Sequence, residues 1–313
     1  MKALEYYFQG IKKATSEGKL VWLLWLVNVL FASLIYFQFS DYLNQVLSRS
    51  AAAENFLKTF DMNTFFELLA HNGEKLNAIA SLAILLLIGY IFVSVFLNGG
   101  ILFTLIHPRK TDERRRLAPL FFEGGGKFFG RFVRLLIYSL TLWLGIIVVI
   151  LILNMILKPI TKGSTNEVLM FYLILLQVVI AFILVFLVKM IVDYARIKIV
   201  IEDTRKVFRP LFQAMGFVFR KLGSSLAIYY LFLLTAAAVF VLYWLVQKAV
   251  NTHTLLPLLF AFIIGQIFIL SRGWVKVGLQ ASQMNFFQSA GPPQKTGEPL
   301  PVPAEKNLES QTT

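Results

Sequence analysis

Residues 135–157 read LLIYSLTLWLGIIVVILILNMIL and residues 168–188 read VLMFYLILLQVVIAFILVFLV, runs of 23 and 21 residues without a charge. Arg134, Lys158, Glu167 and Lys189 fence them off. A helix rising about 1.5 Å per residue needs about 20 apolar residues to cross a hydrocarbon core of about 30 Å, so each run is long enough to span as a helix. Barrel strands would be shorter and alternate in polarity, and an open sheet would leave backbone groups unpaired in lipid.

Four further uncharged runs cover 20–40, 76–97, 224–247 and 255–271. The last is the shortest and needs residues 252–254 at its outer end or a locally thinned bilayer. The first exceeds the h-region of a cleaved signal peptide, although Ala51, Ala52 and Ala53 follow it. The 313 residues are 58% apolar and 15% charged, with a mean hydropathy of +0.70, where a soluble domain carries about a quarter charged residues. The expected fold is therefore all-α and polytopic, with six transmembrane helices in one domain over residues 1–288.

Charge orients the chain. Six crossings put both termini on one side with 98–134 and 189–223; that side holds 24 of the 30 Lys and Arg residues and 11 of the 17 acidic ones. The opposite loops hold six of each, so the whole net charge of +13 lies on one side. By the positive-inside rule that side is cytoplasmic. The same bias accounts for the basic pI: Arg114, Arg115 and Arg116 belong to no recognition module, so anionic inner-leaflet lipid is the expected partner and nucleic acid is not.

An amphipathic pattern precedes each odd-numbered span. Leu4, Tyr7, Phe8 and Ile11 repeat as Leu117, Leu120, Phe121 and Gly124 and as Phe208, Leu211, Phe212 and Met215, spaced i, i+3, i+4 and i+7 along one helical stripe. The stripe continues to Thr15, Phe128 and Phe219, and Pro119 and Pro210 share an offset near the helix start. Aromatic stripes flanked by Lys12, Lys13, Lys127, Arg209, Arg220 and Lys221 suit helices lying in the headgroup plane. The expected architecture is a pseudo-threefold repeat of an interfacial cytoplasmic helix and a transmembrane hairpin, anchored by Phe8, Phe121 and Phe212. The segment 41–75 is expected to hold short external helices, with a capping box at Thr64 and Glu67. Residues 289–313 contain five prolines and no aromatic, the composition of a disordered cytoplasmic tail.

Catalytic patterns are scarce. There is no cysteine, and His71, His107 and His253 lie far apart, so no cofactor, metal site or enzymatic activity is expected. Gly124-Gly125-Gly126 lacks the Lys-Ser/Thr of a phosphate loop and reads as flexibility or close helix packing. Asp193 and Arg196, three apart, and Lys198 and Glu202, four apart, are spaced to form structural ion pairs on a helix leaving the fourth span. Glu202 and Asp203 diverge by about 100° on a helix, which disfavours a shared divalent ion. Gln177 and Gln266, amides inside the spans, are candidates to line a polar cavity, and no ionisable group lies at mid-membrane depth.

Six spans, an aromatic helix before each hairpin and Asp193-Tyr194-Ala195-Arg196 leaving the fourth span resemble a group of bacterial integral membrane proteins that includes the membrane domain attached to some glycerophosphodiester phosphodiesterases. The resemblance covers about residues 1–288 and none of the soluble phosphodiesterase domain. It implies a bacterial inner-membrane protein and transfers no catalytic residue. The expected function is a non-enzymatic, lipid-interacting scaffold or accessory component; the alternative is a permease or flippase-like transporter of an apolar or amphiphilic solute.

Overall fold

A backbone in lipid must satisfy its own hydrogen bonds, and each apolar run becomes a helix. The computed structural model describes residues 2–47, 73–107, 117–162, 167–250 and 255–291. The helices are α1 (Lys2–Ser16), α2 (Gly18–Leu47), α3 (Gly73–Ile106), α4 (Leu117–Lys162), α5 (Glu167–Ile201), α6 (Phe208–Arg220), α7 (Leu222–Ala249) and α8 (Leu255–Ala290). No strand occurs among the described residues. Six of these helices are long and apolar enough to cross a membrane, so the protein is an all-α polytopic membrane protein. Residues 48–72, with Thr64 and Glu67, the arginines 114–116, and 292–313 lie outside the described residues; residues 289 and 290 belong to α8 rather than to a tail.

The three hairpins are α2–α3, α4–α5 and α7–α8, and the second helices α3, α5 and α8 pack on one another. Burial is concentrated at one end, which carries α1, α6 and most of the charge. There, Ile101, Leu102, Phe128, Phe132, Met190, Ile191, Tyr194, Ile197, Val218, Phe232 and Val277 are almost fully enclosed. Towards the other end the hairpins leave Leu144, Ile147, Leu151, Met155, Phe171 and Phe182 exposed, as lipid-facing side chains should be. The basic end is thus a packed body and the apolar end a spread of hairpins.

Each amphipathic segment docks mainly on the second helix of the hairpin before it in the ring, although Phe217 of α6 also meets Phe286 and Phe287 of α8 in its own hairpin. The start of α4 packs on α3, α6 packs on α5, and α1 closes the ring by packing on α8. Small residues permit these contacts. A Cβ added to Gly100 would fall 2.7 Å from the ring and carbonyl of Phe121, and one added to Gly10 would fall 2.5 Å from the carbonyl of Gly278. The α1 seam is also polar: Ser282 Oγ donates to the Tyr6 carbonyl (2.9 Å), Tyr6 Oη and Ser289 Oγ share a hydrogen bond (2.7 Å), and Trp274 Nε1 donates to Thr15 Oγ1 (3.1 Å).

Two expectations of the repeat need correction. First, the second amphipathic segment is not a separate interfacial helix, because α4 runs unbroken from Leu117 to Lys162, whereas the chain breaks at Glu17 and at Lys221 in the other units. Second, Phe121 is not an interfacial anchor. Its ring is 1% exposed and fills the notch over Gly100, while Phe122 is 59% exposed, like Phe8 (62%) and Phe212 (51%). The burial pattern aligns Gly10 with Gly124 and Ala214, and Ala14 with Phe128 and Val218, all turned inward. The second copy is therefore shifted by one residue from the sequence alignment, and its outward phenylalanine is Phe122.

Between α5 and α6 the chain turns through Asp203, whose φ of 46° lies in the left-handed region that Asp tolerates better than most residues. Its carboxylate meets Lys127 Nζ at 2.8 Å and Arg131 Nη1 at 2.6 Å, tying the turn to α4. Burial raises the pKa of this carboxyl, but hydrogen bonds to and the charges of Lys127 and Arg131 outweigh it and hold the group below the ordinary carboxylate value.

Candidate functional site

The three inner helices each present two side chains one turn apart to a common space. Ser94 and Asn98 come from α3, Lys189 and Asp193 from α5, and Arg272 and Lys276 from α8. The spacing of four is the same in each copy, and a small buried residue follows two positions later: Gly100, Ala195 and Gly278. The repeat itself therefore gathers six side chains into two stacked layers, about 6 Å apart at about 1.5 Å per residue. Arg196, Ser271 and Gln280 add polar groups to the lining, Val275 and Leu279 of α8 add apolar ones, and Ala236, Val239 and Phe268 form an apolar side. The cavity, open on one side, measures about 500 Å³, within the usual range for small-ligand sites.

Its charge is lopsided. Among the described residues of the lining, Asp193 is the one carboxylate against four cations. Both its oxygens are engaged: Arg196 Nη1 donates to Oδ1 at 3.1 Å and the Tyr229 hydroxyl donates to Oδ2 at 2.5 Å. Lys189, Arg272 and Lys276 have no carboxylate within ion-pair distance among the described residues. On the α3 side the lining is neutral. Gln280 Nε2 donates to Asn98 Oδ1 at 2.9 Å, Asn98 Nδ2 donates to the Ser94 carbonyl at 2.7 Å, and Gln280 Oε1 is buried without a partner. Lys189 and Arg272 are exposed at the rim nearer the apolar end, while Arg196 and Lys276 sit half-buried one turn deeper.

No known protein family, curated protein or solved structure matches this chain.

The residues singled out in the sequence fall in several places. Asp193 and Arg196 form an ion pair on the cavity wall. Lys198 and Glu202 pair at 2.6 Å beyond the cavity, with the ammonium also 5.7 Å from the centre of the Phe287 ring. Glu202 and Asp203 turn to different cations, Lys198 for the first and Lys127 with Arg131 for the second. Gln177 Nε2 donates to Asn154 Oδ1 at 3.0 Å inside the α4–α5 hairpin, whereas Gln266 accepts from Trp25 Nε1 at 2.9 Å between α8 and α2. Those two amides occupy separate sites and do not line the central cavity.

Lys189, Arg272, Lys276, Ser94, Asn98 and Gln280 went unrecognised in the sequence. Lys189 reads in the sequence as a fence at a span end, and Arg272 follows the run 255–271 in the same way, a reading that holds for an isolated helix. The missing signal is the recurrence of a polar pair at i, i+4 around the end of the apolar run of every even-numbered span.

Proposed function

We propose that this chain is a non-enzymatic, lipid-interacting component of the bacterial inner membrane, with both termini cytoplasmic, that holds an anionic amphiphile in its central cavity. The observation that carries the reading is the cluster of three cations, Lys189, Arg272 and Lys276, with no carboxylate within ion-pair distance among the described residues, beside the apolar strip of Ala236, Val239 and Phe268. Grouped like charges in a partly desolvated space repel one another, and an anion among them relieves that repulsion. The apolar strip offers a tail a surface that a free anion would not use. The charge asymmetry of the sequence supports a cavity at the headgroup level of the inner leaflet, where anionic lipids are abundant.

The outward rings of Phe8, Phe122 and Phe212 support the same reading from outside, since exposed aromatics at the rim of a membrane protein sit well among headgroups. The experiment is lipid analysis after mild extraction of the wild type and of the Arg272→Gln/Lys276→Gln variant. The wild type should retain an anionic lipid that the folded variant loses; identical retained lipids would remove the cavity from the account.

A further inference from the structure

We propose that the amphiphile ends in a terminal phosphate, a phosphomonoester or diphosphate carrying more than one negative charge, seated between α5 and α8 with its tail along α7. The inference rests on the reading that the cavity holds an anionic amphiphile, and it follows from the count and placement of charge. With Asp193 committed to Arg196 and Tyr229, the unmatched cations number three: Lys189 on α5, and Arg272 and Lys276 on α8. A phosphodiester headgroup brings one negative charge, which would leave two cations facing each other. A phosphomonoester carries about −1.5 to −2 at neutral pH and three strong acceptor oxygens, a closer match in both charge and donor number. Arg272 can grip two of those oxygens in parallel, while the two lysines act as point charges.

Placement follows from the unequal copies of the repeat. The α3 copy offers only Ser94 and Asn98, and Asn98 is occupied by Gln280, so the anion belongs on the α5–α8 side. That side adjoins Ala236 and Val239 of α7 and Phe268 of α8, which lead from the charged layers towards the apolar end. Phe268 is held in place by stacking on Tyr243, their rings 4.4 Å apart. A terminal phosphate at Lys189, Arg272 and Lys276 thus has an apolar wall for its first tail carbons, whereas a bridging phosphodiester would also need room for a second polar substituent.

The test is binding of defined probes to the full chain in nanodiscs of zwitterionic lipid. Phosphatidic acid, phosphatidylglycerol and phosphatidylcholine of equal chain length are titrated, with glycerol 3-phosphate and inorganic phosphate as soluble competitors. Phosphatidic acid should bind at least tenfold more tightly than phosphatidylglycerol, and Lys276→Gln or Arg272→Gln should reduce that ratio towards one. The Arg220→Gln variant, which alters a basic side chain outside the cavity, should keep it. Equal binding of the two anionic lipids would overturn the terminal-phosphate inference and leave the anionic-amphiphile reading standing. No preference for either over phosphatidylcholine would overturn both. Competition by glycerol 3-phosphate or inorganic phosphate at the affinity of phosphatidic acid would make the ligand a soluble phosphate and overturn the role of the tail.

Discussion

Three consecutive glycines in α4 should respond to alanine in three different ways, because the ring of docked helices turns each one to different surroundings. Gly126 faces open space, with nothing within 4 Å of an added Cβ. Alanine there removes a helix-interior glycine and should stabilise by about 0.8–1 kcal/mol. Gly124 lies against α3, where an added Cβ would overlap the Cβ of Phe103 and come within 2.7 Å of its Cγ. That part of Phe103 is fixed by the backbone and cannot rotate away. Overpacking of this kind costs about 1–3 kcal/mol, so the propensity gain is cancelled or exceeded and Gly124→Ala should be neutral to destabilising by about 2 kcal/mol. At Gly125 the obstacle is the far edge of the half-buried Phe96 ring, with Cζ 2.5 Å from the added Cβ, and a swing of that ring brings the net change near zero. Thermal unfolding of the purified variants, followed by loss of the monodisperse size-exclusion peak, should rank Gly126→Ala above Gly125→Ala and Gly125→Ala above Gly124→Ala. Equal melting of Gly124→Ala and Gly126→Ala would refute the docking of α4 on α3.

Three further outcomes follow from the packing. Asp203→Asn should cost about 0.5–1 kcal/mol, discounted because the carboxylate is half exposed, and Asp203→Ala should cost about 1 kcal/mol more for its left-handed backbone. Since the folded pKa of Asp203 is lowered, its contribution is present above about pH 4 and fades as pH falls through the lower folded value; a wild-type and Asp203→Asn pair should therefore converge in melting temperature only in strong acid. Asp193→Ala strips an acceptor from both Arg196 and Tyr229 and should destabilise by about 1–3 kcal/mol, with Asp193→Asn losing less; unchanged melting of the alanine variant would leave a binding role as the reason for that residue. Phe121→Ala should cost about 3–5 kcal/mol, and Phe122→Ala under about 0.5 kcal/mol, because only the first ring is enclosed.

The helical class and the crossings were legible because lipid removes the competition between local structures: an uncharged run of about 20 residues has one stable conformation there. The spacing of Asp193 and Arg196 was equally readable, since an i, i+3 pair needs nothing beyond a continuous helix. Reading failed where the answer depended on partners distant in sequence. The stripe through Phe121 and Phe122 fits either ring as the inward one, and the choice is made by the Gly100 notch on α3, about twenty residues away in the chain. Lys189 and Arg272 are ordinary span-end charges until α5 and α8 are placed side by side. The three i, i+4 polar pairs carried the missing information, but Ser94 and Asn98 in the first copy are too mild to suggest a charged site.

The most direct test of the central claim is a cryo-EM map of the full chain in nanodiscs containing phosphatidic acid. The account predicts a phosphate-sized density within hydrogen-bonding reach of Lys189, Arg272 and Lys276, continuing as a tail beside Ala236, Val239 and Phe268. A cavity holding only water, or one in which Arg272 and Lys276 turn away to other carboxylates, would contradict it.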